Sequence, residues 1–209
     1  MTILTVSPIV FRYWVQDGDA LNLYLLAAVL VVLVLYIGRR HVRDIKDDRE
    51  HVLALLGQIA ELSNFPNETG VMIFTPFISL WQERKLKARL TYNKIGCSDE
   101  FIEFSLYSGC TGHCWSERKQ VIADLDHEDV VLECQKLWNM NPKQIADTKL
   151  IKAVCSTPIR DPDGAIIGVL TIDCLRSVRE SGMVSTHFLE SVSLYAERLG
   201  RIIKTRPLL

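Results

Sequence analysis

Cys110, His113 and Cys114 are the residues of this 209-residue chain whose types and spacing come nearest to chemistry. Thiolate and imidazole are ligands that zinc selects, and on a helix Cys110 and Cys114 share a face with His113 beside them. Zinc needs three or four converging ligands, and no second cluster supplies the remainder at a recognisable spacing, so no metal site is expected. Near a helix start, Cys114 could instead have a lowered thiol pKa and sense oxidants. The other cysteines are Cys97, Cys134, Cys155 and Cys174, and no two of the six form C-x-x-C. Reduced, buried thiols are the plain reading. Gly109 and Gly112 can let backbone approach a ligand, with N–H groups of the following helix start facing it. A tight strand-to-helix turn explains them more simply. His113 and Trp115 suit a heterocycle, although packing accounts for Trp115 equally well. Asp124 can bond a ligand or cap the loop after it, and the cap is the simpler role.

These residues need a frame. The segment LIKAVCSTPI, the turn RDPDG and the run AIIGVLTID describe a β-hairpin: Pro162 fixes φ, Gly164 supplies a positive φ, and Asp161 and Asp163 favour the reversal. Residues 166–172 are almost wholly apolar, which predicts a central strand covered on both faces. Residues 71–77 read as another strand. Residues 85–92 alternate, with Leu86, Ala88, Leu90 and Tyr92 on one face and Lys85, Lys87, Arg89 and Thr91 on the other, which predicts a half-exposed edge strand. Residues 101–108 alternate again, through Ile102, Phe104 and Leu106. Short helices are expected at 112–119 and 127–138, with a short strand at 121–123 between them. Asn141 and Pro142 read as N-cap and first helical position of another turn. Residues 188–203 form an amphipathic helix with Phe188, Val192, Tyr195, Leu199 and Ile202 on one stripe. The class is α+β, a central antiparallel sheet with helices segregated to its faces.

Before the sheet comes an uncharged run, LNLYLLAAVLVVLVLYIG, at residues 21–38. As a helix it spans roughly 27 Å, enough to cross a hydrocarbon core. Arg39, Arg40, Arg43 and Lys46 follow it, whereas Arg12 is offset by Asp17 and Asp19 on the other side. That asymmetry predicts a single-pass anchor in the cell (inner) membrane, with residues 1–20 outside and the remainder cytoplasmic. A cleaved signal peptide fits less well, for lack of a basic n-region and a small-residue cleavage site. Residues 39–63 continue as an amphipathic helix whose Val42, Ile45, Arg49, Val52, Leu56 and Ile59 make a heptad-like seam. It either packs on its own domain or forms a parallel dimer stem. Nucleic acid is not an expected partner, because a net charge of −1 offers no basic excess to neutralise phosphates.

Two segments resemble the GAF domain family, over roughly residues 50–205. One runs Gly-Cys-Thr-Gly-His-Cys-Trp from Gly109 through Trp115 to Asp124, and is similar to the family's Gly-x-x-Gly helix start and short strand ending in Asp. The other is the hairpin VCSTPIRDPDGAIIGVLTID. The resemblance implies a GAF/PAS-like domain over 64–205, with terminal helices on one sheet face and short helices and loops over a small-molecule pocket on the other. It implies Phe104, Tyr107, Trp138, Cys155 and Thr157 as further pocket candidates beside Gly109, Gly112, His113, Trp115 and Asp124. The ligand's identity stays open: a nucleotide or heterocycle is possible. A bilin is not expected, because bilin-binding members place Cys before His and here the order is His113-Cys114. The cyclic-nucleotide signature matches poorly. The expected function is a non-enzymatic sensing module, homodimeric or coupled to a separate signalling or effector protein. Alternatives are a thiol-dependent methionine-sulfoxide reductase using Cys110, Cys114 or Cys134, a ligand-gated membrane effector, and a scaffold whose pocket is filled by side chains.

Overall fold

The computed structural model describes residues 20–77, 84–95, 103–127 and 129–205, the side chains of 20–25, 41–45 and 205 excepted. The chain divides into two compact units, Met1–Asp47 and Asp48–Leu209. A helix α1, Ala20–Ala60, contributes to both. In the first unit its apolar side chains from Leu26 to Ile37 are solvent-exposed. Among the described residues no helix is long and apolar enough to cross a membrane. The expected span 21–38 lies partly outside the described side chains.

The second unit is built on a curled six-stranded antiparallel sheet in the order β3-β2-β1-β6-β5-β4. The strands are β1 Thr69–Phe77, β2 Lys85–Tyr92, β3 Glu103–Ser105, β4 Val121–Asp124, β5 Ala153–Arg160 and β6 Ile166–Cys174. β6 is central, between β1 and β5, as its apolar run requires. The β5–β6 turn is closed by Asp161, whose Oδ1 accepts from the N–H groups of Asp163 (3.0 Å) and Ala165 (2.9 Å), while Gly164 sits at φ +84°.

Around the sheet lie α2 Gly109–Glu117, α3 Val130–Lys136, α4 Pro142–Thr148 and α5 Thr186–Thr205. α2 begins three residues earlier than its sequence suggests, at Gly109, whose φ of +67° turns the chain into the helix. α3 is shorter than the expected 127–138. α4 starts with a reciprocal cap: Asn141 Oδ1 accepts from Gln144 N (2.9 Å), and Gln144 Oε1 accepts from Asn141 N (3.0 Å).

One sheet face carries the main core. Val52, Leu55, Leu56 and Ile59 of α1 and Phe188, Val192, Ala196 and Leu199 of α5 pack over Val71, Ile73, Cys155, Ile159, Leu170 and Ile172. Val52, Leu56 and Ile59 of the heptad-like seam are therefore used within the domain, while Arg49 is exposed. Three expectations need correction. β2 is an inner strand over Lys85–Lys87, because β3 pairs on its outer side. Its alternation is also broken by a bulge: Ile73 faces Leu90 but Phe74 faces Ala88, leaving Arg89 as the extra residue. One extra residue reverses the side-chain phase. Leu86 and Ala88 thus pack with Phe74 and Phe104, whereas Leu90 joins the helix-face core. The strand expected over 101–108 contracts to β3, with Leu106 and Tyr107 in a turn; 101 and 102 lie outside the described residues.

Candidate functional site

Residues of odd phase on β6, namely Val169, Thr171 and Asp173, face away from α1 and α5, beside Met72 and Phe74 of β1 and Val154 and Ser156 of β5. Above them α2, α3 and α4 form a cover. It is pinned to the sheet side by polar contacts at its edge. Gly109 N–H donates to Trp138 O (2.6 Å), Ser108 Oγ to Asn139 O (2.9 Å), and Gln144 Nε2 to Glu103 O (2.9 Å).

Between cover and sheet lies a cavity lined mainly by apolar groups, with Phe74, Phe104, Trp138 and Met140 prominent, and by Gly109, Cys110, Thr111, Thr171 and Asp173. Its space for the centres of water-sized molecules is about 40 Å³. At 10–15 Å³ each, that is room for about three waters. A nucleotide or a tetrapyrrole exceeds it many times over. The polar wall is a hydroxyl chain, Thr111 Oγ1 to Thr171 Oγ1 (3.0 Å) and Ser156 Oγ to Thr171 Oγ1 (3.2 Å), with Asp173 one step further along β6.

Asp173 is 4% exposed, and its carboxyl has no hydrogen bond or ion pair among the described residues. Burial alone pushes its pKa up from 3.8 to about 7. Cys110 is the other titratable side chain on the lining among the described residues. Burial pushes its thiol well above the ordinary range, and the nearby Cys155, Cys114 and Asp173 add to the effect. Among the described residues no lysine, arginine or histidine lines the cavity.

Of the residues singled out from the sequence, Phe104, Gly109, Cys110 and Trp138 come together on this cavity. The other pocket candidates are set apart from it. Tyr107 is 65% exposed. A Cβ on Gly112 would meet Ser105 O at 2.7 Å, so this glycine serves close packing of α2 on the turn before it. The Gly109 N–H is taken by Trp138 O and the Gly112 N–H by Ser108 O, so neither is presented to a ligand. His113 packs edge-on against Trp138, ring centroids 5.1 Å apart, with Nδ1 3.9 Å from Glu117. Trp115 packs against the Phe74, Leu86 and Cys114 cluster. Asp124 is exposed and accepts from Asp126 N–H, the capping role. Cys155 belongs to the core on the other sheet face. Gln120 Nε2 donates to Thr157 Oγ1 (2.8 Å) and reaches Cys155 Sγ (3.8 Å) and Leu189 O (3.5 Å).

The thiol of Cys114 is raised, not lowered, because it is buried and sits beyond the first turn of α2 where the helix dipole has faded. Among the described residues no three His, Cys, Asp or Glu side chains converge as metal ligands. Asp173 was the residue that sequence reasoning missed. The signal was present: an acid directly continuing a strand predicted to be covered on both faces has no water to meet.

No protein-family model matches the chain, and neither does any curated protein sequence. Solved structures do. The GAF domain region of a protein from Geobacter sulfurreducens PCA is similar at 14% identity, over 78% of this chain and 98% of that one, with a TM-score of 0.56. A GAF domain/HD domain protein from Geobacter sulfurreducens gives 11% identity over 79% and 97% of the two chains, with a TM-score of 0.54. A type II free methionine-R-sulfoxide reductase from Thermoplasma acidophilum gives 17% over 77% and 95%, with a TM-score of 0.53. The chain has the GAF-domain fold.

Proposed function

We propose that the domain is a non-enzymatic small-molecule sensing and signalling module, anchored to the inner membrane through residues 21–38. Its output would pass to a second copy of the chain or to a separate signalling or effector protein. The observation that carries the reading is the two-sidedness of β1 and β6. Thr171 and Asp173 line the cavity while Leu170, Ile172 and Cys174, their immediate neighbours, support the core beneath α1 and α5. A ligand shifts only an equilibrium whose states it binds differently. Here occupancy and terminal-helix packing act on the same strands. The anchor is supported by the uncharged run and the arginines after it.

The test is native mass spectrometry of the full-length chain released from detergent, with and without a library of metabolites. Retention of a small molecule together with a changed monomer–dimer ratio is the expected result. A chain that stays monomeric, retains nothing from its host and binds nothing from the library, weak binders being read by ligand-observed NMR, ends the proposal.

A thiol-dependent reductase is the second reading. Cys110 lines the cavity, and one structure of similar fold is a free methionine-R-sulfoxide reductase. Against it, burial raises the thiols of Cys110, Cys114 and Cys134, and that of Cys155 to about 12, so all four stay protonated near neutral pH and are poor nucleophiles. Serine variants at Cys110, Cys114 and Cys134, assayed for thiol-dependent reduction of free methionine sulfoxide, separate the readings. A wild-type turnover lost in any one variant would establish the enzyme.

A further inference from the structure

Among the described residues the cavity opposes one acid to an apolar and aromatic wall and holds no basic side chain. An anionic ligand would meet an uncompensated carboxylate there, and a purely apolar one would leave Asp173 unpaired in a dry site. The missing partner of Asp173 is a donor, best a charged one, because a buried charge is tolerated when it is paired and hydrogen-bonded. The rings of Phe104 and Trp138 on the same cavity favour a cation further. Thr171, bonded to both Thr111 and Ser156, adds a hydroxyl oxygen on the acid's own strand face.

We propose that the cavity binds a small organic monocation, a protonated amine whose N–H groups donate to the Asp173 carboxylate and whose carbon body lies against Phe104, Trp138 and Met140. This rests on the sensing reading and gives it a ligand class. Room for about three waters sets the scale at about three heavy atoms. Ethylammonium has that size. A ligand so small reaches a Kd on the order of a millimolar at best. Binding needs the carboxylate, so where Asp173 is protonated, amine entry releases that proton to solvent. Cys110, the other titratable lining group, stays a neutral thiol throughout.

The experiment is a ligand-observed NMR titration of the full-length chain in detergent with ethylammonium chloride, ethanol, acetamide and sodium acetate, at pH 5.5 and pH 8, at constant ionic strength. Ethylammonium should bind at pH 8 about tenfold or more tightly than its neutral and anionic counterparts, and weaken about tenfold or more at pH 5.5. Asp173→Asn should lose about tenfold or more of the ethylammonium affinity and show no pH trend. The proposal is overturned if ethylammonium does not bind at 100 mM, if ethanol or acetate binds as well, or if the variant keeps wild-type affinity. It also falls if acetamide binds best at the lower pH, because Asp173 would then be acting as a protonated donor. Should Asp173→Asn fail to fold, the wild-type charge ranking and pH trend decide. Sensing itself fails on a different result, the absence of any retained or library ligand of whatever charge.

Discussion

At the scale of single residues, Asp173 ties stability to pH in the direction opposite to most carboxylates. Its pKa is about 7 in the folded chain and near 3.8 when exposed, so between those values the folded state holds the proton and the unfolded state does not. Stability from this group is full below pH 4 and is lost as pH rises through 7, by an amount on the order of 4 kcal/mol. Glu68, Glu117 and Glu180 are held low by hydrogen bonds from Arg176, Lys119 and Ser177, and they weaken the fold only below about pH 4.5. Chemical denaturation should therefore show the wild type losing stability from pH 5 to 8, while Asp173→Asn stays level and is the more stable at pH 8. A wild-type profile flat over that range would contradict the buried, unpaired carboxyl. The thiols give a second prediction. Cys110, Cys114 and Cys155 should resist iodoacetamide in the folded chain and react only with denaturant, as read by peptide mass spectrometry. The types of these residues were plain in the sequence, but their facing was not. Cys155 and Thr157 alternate with Val154 and Ser156, and only the pairing of β5 with β6 decides which set meets the cavity.

At the scale of elements, the hairpin and the Asn141 cap were legible because their determinants are local: turn residues at fixed offsets and a side chain reaching three residues on. The Arg89 bulge was not. It arises where β2 must serve two different cores, and nothing in KLKARLTY marks the phase change. The extent of β3 was equally hidden, since its end is set by the turn that delivers Gly109 to α2. α5 is positioned by contacts of a different kind. Lys204 pairs with Asp161 (3.2 Å) and with Asp163 of the hairpin turn, and a Cβ on Gly200 would meet Arg160 O at 1.8 Å. Backbone cannot yield as a flexible side chain does, so Gly200→Ala should cost on the order of 3 kcal/mol. Lys204→Ala should cost less than Gly200→Ala, because its pair with Asp163 is solvent-exposed. Urea unfolding midpoints of the two variants would show whether helix position depends on close packing or on charge; a larger loss in Lys204→Ala would reverse the argument.

At the scale of the molecule, two units of different character share one helix in sequence. The exposed apolar side chains from Leu26 to Ile37 have no partner class in water, and the expected outcome is partition of the full chain into the membrane fraction. Removing residues 21–38 should release it to the soluble fraction, and protease added to sealed inverted vesicles should digest the domain. Recovery of the intact wild-type chain in the soluble fraction would sink the anchor. The cover over the cavity sets a clock for whatever enters. Its pinning bond from Gly109 N–H to Trp138 O must break before the segment around Trp138 can lift. That one amide proton can exchange with deuterium only in the opened form, so its exchange reports how readily the cavity opens, with no ligand and no knowledge of what the guest is.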